Sequence, residues 1–478
     1  MHYDILIRDA LIFCGTGAPP VRGDLAILGD RIAATGDLAS ATATTTIDAA
    51  GQALSPGFID AHTHDDTNVI SMPEMLPKIS QGVTTVITGN CGISAAPVRL
   101  RGDPPDPMNL LGEAASFRYP SFADYAAAVD AAQPAVNVAA LVGHTALRSN
   151  HMDRFDRAAT AGEIHAMRLE LRDALAHGAL GLSTGLAYIN AINAPTSEVA
   201  DLAEELTGQN ALYATHLRSE REGVLDAMTE AFQIGRHARA PVIVSHLKCA
   251  GVGNWGKSGA VLEALDAAAA THSVWCDCYP YAASASTIDV QQCSGEVAVK
   301  ITWSKPEPGM AGRWLADIAA TWGVSQPEAA RRLQPGGAIY ESMDEADVER
   351  ILAHRETMIG SDGLPNDPLP HPRLWGSFPR VLGHYSRDRQ LFPLAEAIRK
   401  MTTLPAGRFR LDRRGKIEIG FAADLVLFDP ATIRDTATFS EPHQVADGIV
   451  AVWVNGVLTY HGKSATGQRA GRFLPRNP

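Results

Sequence analysis

Cysteine is scarce in this sequence, which has only 6 among 478 residues. So few cysteines exclude a disulfide-held scaffold at this length, and each is expected to be a buried thiol or a metal ligand. Long apolar runs are also missing, since no stretch of about 18 apolar residues occurs, which argues against a membrane-spanning helix. The first residues lack the basic and apolar regions of a secretory signal, and we therefore expect a cytoplasmic protein.

Clusters of basic residues are also missing from the sequence. The 41 Lys and Arg residues are outnumbered by 53 Asp and Glu residues, and the formal net charge is -12. Nucleic acids and anionic membranes select clustered basic residues, so neither is expected as a partner. With 46% hydrophobic and 20% charged residues, the composition is that of an ordinary globular protein. The sequence leaves the oligomeric state open.

Both ends of the chain contain short apolar runs separated by turns, at 3–50 and 423–460. This pattern predicts small antiparallel strands, and Asn455-Gly456 predicts a tight hairpin turn between two of them. Neither end is long enough to bury a core alone. We therefore predict that residues 1–55 and 415–478 fold together into one small β-sandwich module.

Between the ends, short strands alternate with helical segments. The strands are predicted at 57–62, 83–88, 136–142, 180–184, 212–216, 241–246, 274–279 and 357–360. The interval 160–178 illustrates the helices, since Thr160 and Glu163 form a capping box and Gly178 supplies the end. Eight strands alternating with helices predict an α/β fold, a (β/α)8 TIM-like barrel that spans residues 56–414.

One interval, after the seventh strand, is much longer than a usual connection between a strand and a helix. It includes residues 284–345 and contains helical patterns of its own, around 314–322 and 327–333. We interpret this insertion as a lid over the mouth of the barrel. The alternative is a surface addition without a role in the site.

Residue types that bind metals recur where the predicted barrel strands end. The set is His62 and His64 after the first strand, Cys91 after the second, His216 and His246 at the ends of the fifth and sixth, and Asp362 after the eighth. His62 and His64 share a face because side chains two apart on a strand point the same way. The carboxyl ends of parallel barrel strands meet at one mouth, so we expect all six side chains to meet there.

Zn²⁺ fits this set best, because it accepts thiolate and imidazole ligands together. We predict that Cys91, His216 and His246 are the three protein ligands. Asp362 has a different predicted role, since a carboxylate beside the metal can take a proton from water and pass it to a leaving nitrogen.

Six short motifs contain or adjoin these residues, at 56–64, 89–92, 214–218, 245–248, 360–365 and 371–376. Through them, nearly the whole chain resembles the amidohydrolase superfamily, and within it the D-aminoacylases (N-acyl-D-amino-acid deacylases). The Gly-Asn-Cys-Gly motif at 89–92 is the most specific. Many relatives instead bridge two metals with a modified Lys from strand four, and the segment 179–185 offers no Lys.

The resemblance implies a tight Zn²⁺ site at Cys91, His216 and His246. It also implies that His62 and His64 complete a weaker second position that shares Cys91. Asp362 matches the catalytic aspartate of the family, and the residues implied in recognition of the substrate carboxylate are Lys248, Tyr279 and Arg373.

Each of the three substrate-binding candidates also has an ordinary structural interpretation. Lys248 would be a surface residue, Tyr279 a core residue, and Arg373 the partner of an acid such as Asp367. Arg218 is predicted to pair with a neighbouring glutamate, either Glu220 or Glu222.

The activity implied by the resemblance is zinc-dependent hydrolysis of N-acyl-D-amino acids to a D-amino acid and a carboxylate. The segment 287–295 contains no Arg or Lys, which favours neutral or hydrophobic side chains over N-acyl-D-glutamate or N-acyl-D-aspartate. A cyclic-amide hydrolase is a further alternative, although such relatives use the missing Lys. The last alternative is a catalytically inactive scaffold barrel. A scaffold has no need for a polar, charge-dense barrel mouth, which is costly to desolvate, and this argues against it.

Overall fold

A closed parallel barrel forms the centre of the protein, whose computed structural model describes residues 1–477. The eight barrel strands among these residues are, in order, Phe58–Asp60, Val83–Thr88, Asn137–Ala140 continued by Val142–Gly143, Gly181–Gly185, Leu212–His216, Val242–Val244, Val274–Cys278 and Thr357–Ile359. The first and eighth strands close the barrel, because Ala61 N donates to Ile359 O at 3.2 Å. The predicted α/β barrel is confirmed, and its strands lie within one or two residues of their predicted positions.

The period-two alternation of strand side chains builds two apolar layers. Ile59 and Ile87 belong to the cluster inside the barrel, together with Leu141 and Met358. Their neighbour Phe58 instead belongs to the larger cluster between the barrel and its helices. Burial on both faces explains why the strands are short runs of apolar residues.

Helices surround the barrel and follow most of its strands. The α-helices are Asn68–Ser71, Leu76–Ile79, Phe122–Ala132, His144–His151, Ala161–Ala176, Thr196–Ala203, Val224–Ala238, Ser258–Ala269, Leu315–Trp322, Gln326–Leu333, Glu345–Ala353, Arg373–Arg380, Leu394–Met401 and Thr403–Arg408, and Val381–Asp388 is a π-helix. The capping box predicted at Thr160 and Glu163 is present at the start of Ala161–Ala176. Within the described residues, none of the helices is long and apolar enough to span a membrane.

Strands from both chain ends form a single sheet beside the barrel. Its nine described strands are His2–Ile12, Val21–Leu28, Arg31–Gly36, Thr42–Asp48, Ala53–Pro56, Leu425–Phe428, Ile449–Val454, Val457–His461 and Ser464–Ala465. The two ends join where Leu425–Phe428 pairs with Ala53–Pro56. The sheet has an apolar core of its own that includes Ile7, Leu25 and Trp453. Ile32, on an edge strand, and Trp453, on a strand far across the order, share this core, so the sheet folds over on itself and the predicted β-sandwich beside the barrel is confirmed.

The pairing within this sheet differs from the sequence prediction in one respect. The strand His2–Ile12 pairs in parallel with both Thr42–Asp48 and Ala53–Pro56, so the prediction of purely antiparallel strands is wrong. Its other edge is already occupied by Val21–Leu28, which forms a hairpin with Arg31–Gly36. The chain therefore crosses to the free edge and arrives there in the parallel direction.

The insertion after barrel strand seven is a small folded unit. The strands Ser284–Thr287, Val299–Ser304 and Gly336–Tyr340 form an antiparallel sheet. The helices Leu315–Trp322 and Gln326–Leu333 pack with it around a separate apolar cluster that includes Ile301, Ile318 and Leu333. The unit contacts the barrel mouth, since Arg373 Nη2 donates to Ala285 O at 3.0 Å, as expected for the predicted lid.

Candidate metal centre and active site

The six predicted metal-binding residue types meet at the carboxyl ends of the barrel strands. Two overlapping clusters form, one of Cys91, His216 and His246, the other of His62, His64, Cys91 and Asp362. Within each cluster the ligand atoms lie within 4.8 Å of one another. Cys91 is common to both, and its Sγ lies 3.2 Å from His62 Nε2 and from His246 Nε2.

The chemistry of the first cluster fits zinc. A thiol and two imidazoles are the ligand types that zinc prefers, and three protein ligands leave a position open. Burial opposes ionisation of Cys91, but the surrounding His62, His246 and His216 hold the pKa of this thiol well below its usual range. Cys91 is therefore set to act as a thiolate, the form that binds metals.

Two of the imidazoles, those of His246 and His64, have correspondingly raised pKa values. Burial and Lys248 oppose the charged form of His246, but nearby groups that include Cys91 and Glu220 raise its pKa to about 9. For His64, Asp362 and Cys91 overcome burial and raise the pKa to about 9. The centre thus gathers negative charge that a divalent cation would neutralise.

The Gly-Asn-Cys-Gly motif has a steric explanation. A Cβ on Gly89 would lie 2.1 Å from Leu141 O, and one on Gly92 would lie 2.7 Å from Gly185 N. Both glycines and Cys91 have positive φ angles, of 75°, 75° and 54°. The loop therefore packs against barrel strands three and four, a close approach that side chains at these glycines would block.

His246 and Asp362 also have left-handed backbone conformations, with φ angles of 36° and 48°. Such angles are strained for residues other than glycine and persist only where the surroundings hold them. Asp362 N donates to His62 O at 2.7 Å, and His246 N donates to Asp277 Oδ1 at 2.9 Å. These bonds fix the directions in which the two side chains enter the site.

Asp362 lies between the histidines and a buried arginine. Its Oδ1 is 3.1 Å from His64 Nε2, and its Oδ2 is 2.9 Å from Arg373 Nη1. Burial raises the pKa of this carboxyl, but Arg373, His246 and His64 together hold it well below its usual range. Pairing of Arg373 with Asp367 is thus not observed. Thr302 Oγ1 donates to Asp367 instead, at 2.6 Å.

Lys248, Tyr279 and Arg373 are brought together beside Asp362. Lys248 Nζ lies 5.5 Å from the centre of the Tyr279 ring, and the Arg373 guanidinium lies 4.6 Å from it. All three side chains are buried, so the surface interpretation of Lys248 is wrong. Each cation has an acidic partner, Glu220 for Lys248 and Asp362 for Arg373, and together with the phenol they offer charged hydrogen-bond donors suited to a carboxylate.

Two carboxylates at the site were not predicted from the sequence. Glu220 Oε1 lies 2.9 Å from His246 Nδ1, and Asp277 Oδ1 lies 3.3 Å from His62 Nδ1. The alternation along Val274–Cys278 could have indicated Asp277, because Cys276 and Cys278 face the outer core. Glu220 lies in a loop, where no comparable pattern exists.

The predicted partner of Arg218 was wrong. Arg218 Nη2 lies 2.8 Å from Glu230 Oε1, on the helix Val224–Ala238, and Nη1 and Nη2 each donate to a carbonyl of the loop at 192–194. The charge of Glu220 is instead paired with Lys248, whose Nζ lies 2.5 Å from Glu220 Oε1. The short connection after barrel strand five turns Glu220 inward and Arg218 outward.

Tyr188 is a further residue that the sequence did not single out. Its ring centre lies 4.8 Å from that of His216, and its pKa is raised by burial and by the nearby Cys91 and Asp362. His144, which follows barrel strand three, is instead bound to a buried carboxylate, since its Nε2 lies 3.0 Å from Glu198 Oε1.

Comparisons with known proteins identify the family of the chain. The model described as Amidohydrolase family matches residues 45–460. The chain is 49% identical to the D-aminoacylase of Alcaligenes xylosoxydans xylosoxydans, covering 99% of this chain and 98% of that protein. It is 48% identical to the N-acyl-D-aspartate deacylase of the same organism, covering 98% and 95%.

Solved structures match over the same extent. One is a D-aminoacylase described for its binuclear metal centre, with one-metal activation and second-metal attenuation (TM-score 0.97, 50% identity, 99% of this chain and 100% of that one). Another is the N-acyl-D-glutamate deacylase of Bordetella bronchiseptica with zinc and a phosphonate that mimics the tetrahedral intermediate (TM-score 0.96, 44% identity, 99% and 100%). The chain therefore belongs to the amidohydrolase family, in its D-aminoacylase group.

Proposed function

We propose that this protein is a zinc-dependent hydrolase that cleaves the amide bond of N-acyl-D-amino acids, giving a D-amino acid and a carboxylate. The observation that carries the proposal is the placement of a Cys and His metal cluster, a buried aspartate and two buried cationic side chains at one barrel mouth. The preference for the D configuration rests on the relatives, which act on N-acyl-D-amino acids.

Cys91, His216 and His246 would hold the tight zinc, and His62 and His64 would complete a weaker second position that shares Cys91. Zinc bound there supplies Lewis-acid polarisation to an amide carbonyl and to a nucleophilic water. The two metals described for D-aminoacylase support this division into one activating and one attenuating site.

Asp362 would act as the catalytic acid and base. Amide hydrolysis needs a group that removes a proton from the attacking water and returns one to the departing nitrogen. Asp362 is the carboxylate at the centre of the site, and Arg373 fixes one of its oxygens at 2.9 Å. The other oxygen faces the imidazoles of the metal cluster, on the side where the reacting atoms would lie.

The substrate carboxylate would bind to Lys248, Tyr279 and Arg373. An ammonium, a phenol and a guanidinium offer several donors within one buried patch, and charged donors form the stronger hydrogen bonds. Because Arg373 also contacts Asp362, binding of the carboxylate would set the distance between the scissile amide and the catalytic group.

We favour substrates with neutral or hydrophobic side chains, since no Arg or Lys lies in the segment 287–295. The alternative is an acidic D-amino acid, and one observation supports it besides the relatives. Arg221 reaches this segment by donating to Gln291 O at 3.5 Å, and its buried Nε has no hydrogen-bond partner. Cyclic-amide hydrolysis is less favoured, because the strand Gly181–Gly185 provides no bridging Lys.

A panel of substrates decides between these alternatives. The rate of hydrolysis is measured for the N-acetyl derivatives of D-methionine, D-leucine, D-aspartate and D-glutamate, with the wild type and with Arg221→Ala. Our proposal predicts the highest kcat/KM for the neutral pair and little effect of the substitution on it. Higher kcat/KM for the acidic pair, lost in Arg221→Ala, would establish the alternative.

We also propose the division of the chain into a β module of residues 1–55 and 415–478, and a barrel of residues 56–414 with the insertion 284–345. A cytoplasmic location is proposed as well, supported by six free cysteines. Cell fractionation tests the location, and limited proteolysis tests the boundaries.

A further inference from the structure

We propose that Lys78 is a positioning residue for the catalytic Asp362, an inference that rests on the proposed function. Lys78 lies on the short helix Leu76–Ile79, between barrel strands one and two, and its side chain is fully buried. Its ammonium bridges two segments at the barrel mouth, one that follows strand one and one that follows strand eight. Asp362 lies in the second of these segments.

The ammonium of Lys78 contacts four side chains in the two segments. At the end of strand one and just after it, Asp60 Oδ2, Thr63 Oγ1 and Asp65 Oδ2 lie 2.8, 2.9 and 3.1 Å from Lys78 Nζ. After strand eight, Ser361 Oγ lies 2.9 Å from the same Nζ. Burial opposes the charged form of Lys78, but Asp60 and Asp65 raise its pKa above the usual value. Lys78 is therefore a buried cation that the two segments share.

Ser361 connects this cation to the backbone of Asp362. The hydroxyl of Ser361 donates to Asp60 Oδ2 at 2.6 Å, and it accepts from Lys78 Nζ and, at 3.1 Å, from Gly363 N. Its one hydrogen and both lone pairs are thus used. Ser361 N also donates to Asp60 Oδ1, at 2.8 Å. Both chain neighbours of Asp362 are fixed in this way, which helps to hold its left-handed backbone conformation.

The position of Asp362 in the site depends on both segments. Its Oδ1 lies 3.1 Å from His64 Nε2, which belongs to the segment after strand one. A displacement of about 1 Å can lower the rate of an enzyme by about 10²-fold. Without the ammonium, Asp60 and Asp65 would be buried carboxylates that repel each other. Lys78 therefore holds the two segments together at the distance that Asp362 needs.

The test compares kcat, KM and bound zinc in the wild type, Lys78→Met and Ser361→Ala. We expect kcat to fall by about 100-fold in Lys78→Met and by about 10-fold in Ser361→Ala, because Asp362 is displaced in both. KM should change little, and about one equivalent of tight zinc should remain. The proposed ligands of the substrate carboxylate and of the tight zinc all lie outside the two segments.

Lys400→Met is the matched control. The side chain of Lys400 is also fully buried, and its Nζ donates to Thr357 O at 3.5 Å and to His354 O, at the opposite end of barrel strand eight. Removal of this ammonium is expected to lower the melting temperature, as removal of Lys78 does, but to leave kcat unchanged. A purely structural role of Lys78 would make the two lysine variants alike in kcat.

Near-normal kcat in Lys78→Met or in Ser361→Ala would overturn the proposal. An equal loss of kcat in Lys400→Met, or a loss of tight zinc in proportion to kcat in Lys78→Met, would overturn it as well. If Lys78→Met fails to fold, Ser361→Ala decides alone, because it keeps the ion pairs of Lys78 with Asp60 and Asp65.

Failure of the proposed function has a different result, namely a zinc-loaded wild type without deacylase activity. Crystal structures of the wild type and Ser361→Ala then test the role of Lys78 without a rate. A displaced Asp362 in the variant would support the positioning role, and an unchanged Asp362 would overturn it. An active wild type with near-normal kcat in the variants would refute the role of Lys78 alone.

Discussion

At the scale of single residues, Cys91 occupies the central position of the site. Its thiol belongs to both potential metal clusters, whereas His62 and His64 belong to only one. The pKa of the thiol is lowered by the imidazoles on either side. Loss of Cys91 should therefore affect every metal at the site, and loss of His62 should affect the weaker position.

Cys91→Ala is expected to remove the tight zinc, and His62→Asn should retain about one equivalent of it, because only the first deletes one of the three proposed ligands. Metal analysis after extensive dialysis measures both. Equal zinc in the wild type and Cys91→Ala would show that the ligand assignment is wrong.

Asp362→Asn is expected to lower kcat by about 10²- to 10⁴-fold, the usual contribution of general acid and base catalysis. The amide keeps the shape and one oxygen for Arg373, but it cannot carry the proton. KM and bound zinc should change little. Loss of zinc in proportion to activity would instead make Asp362 a metal ligand, and near-normal turnover would remove it from the mechanism.

The sequence could predict the residues whose chemistry is explicit in their type and position. Because strand ends face one mouth of a barrel, His62, Cys91, His216 and His246 could be placed together from their positions in the sequence. Glu220 could not be placed, because it lies in a turn whose path depends on packing. The left-handed backbone of Asp362 is likewise set by its surroundings and not by the local sequence.

At the scale of elements, a buried ion cluster joins two helices behind barrel strand three. Glu198, on Thr196–Ala203, contacts Arg148 and His144 on His144–His151. Burial opposes ionisation of Glu198, but His144 and Arg148 lower its pKa to about 2. A group with a folded pKa below its unfolded value stabilises the fold at neutral pH, and this stabilisation is lost as pH falls toward the folded value.

Glu198→Gln is expected to lower the free energy of unfolding at pH 7 by about 3 to 5 kcal/mol, since it leaves the buried Arg148 without its counter-charge. The difference from the wild type should shrink below a pH of about 4.5, where the unfolded carboxyl begins to bind a proton. Urea denaturation of both proteins at pH 7, 5 and 3.5 measures this. A difference independent of pH would contradict the assigned role.

The elements themselves were largely predictable, because local signals and tertiary structure agree. The barrel strands are apolar runs with turns on both sides, and the capping box at Thr160 starts a helix as predicted. The parallel pairing of His2–Ile12 was not predictable. It depends on which edge of His2–Ile12 is already paired with Val21–Leu28, and therefore on which edge stays free.

At the scale of the whole molecule, the two ends of the chain depend on each other. Leu425–Phe428 pairs with Ala53–Pro56, the strand that leads into the first barrel strand and its two histidines. The last described residues also contact the barrel, since Leu474 N donates to Val138 O at 2.7 Å. The carboxyl end therefore supports both the sheet and the barrel.

Deletion of residues 415–478 is expected to give insoluble protein, because it exposes the edge of Ala53–Pro56 and part of the apolar core around Leu25 and Leu54. The fraction of soluble protein after expression, compared with the full chain, measures this. A soluble, active truncated protein would show that the barrel does not need the sheet.

The most direct measurement is a zinc titration of the metal-free protein, followed by hydrolysis of N-acetyl-D-methionine and N-acetyl-L-methionine. We predict that activity on the D substrate rises to its maximum near one equivalent of zinc, while the L substrate is hydrolysed poorly throughout. Activity that does not depend on zinc, or equal rates for the two enantiomers, would contradict the proposed function.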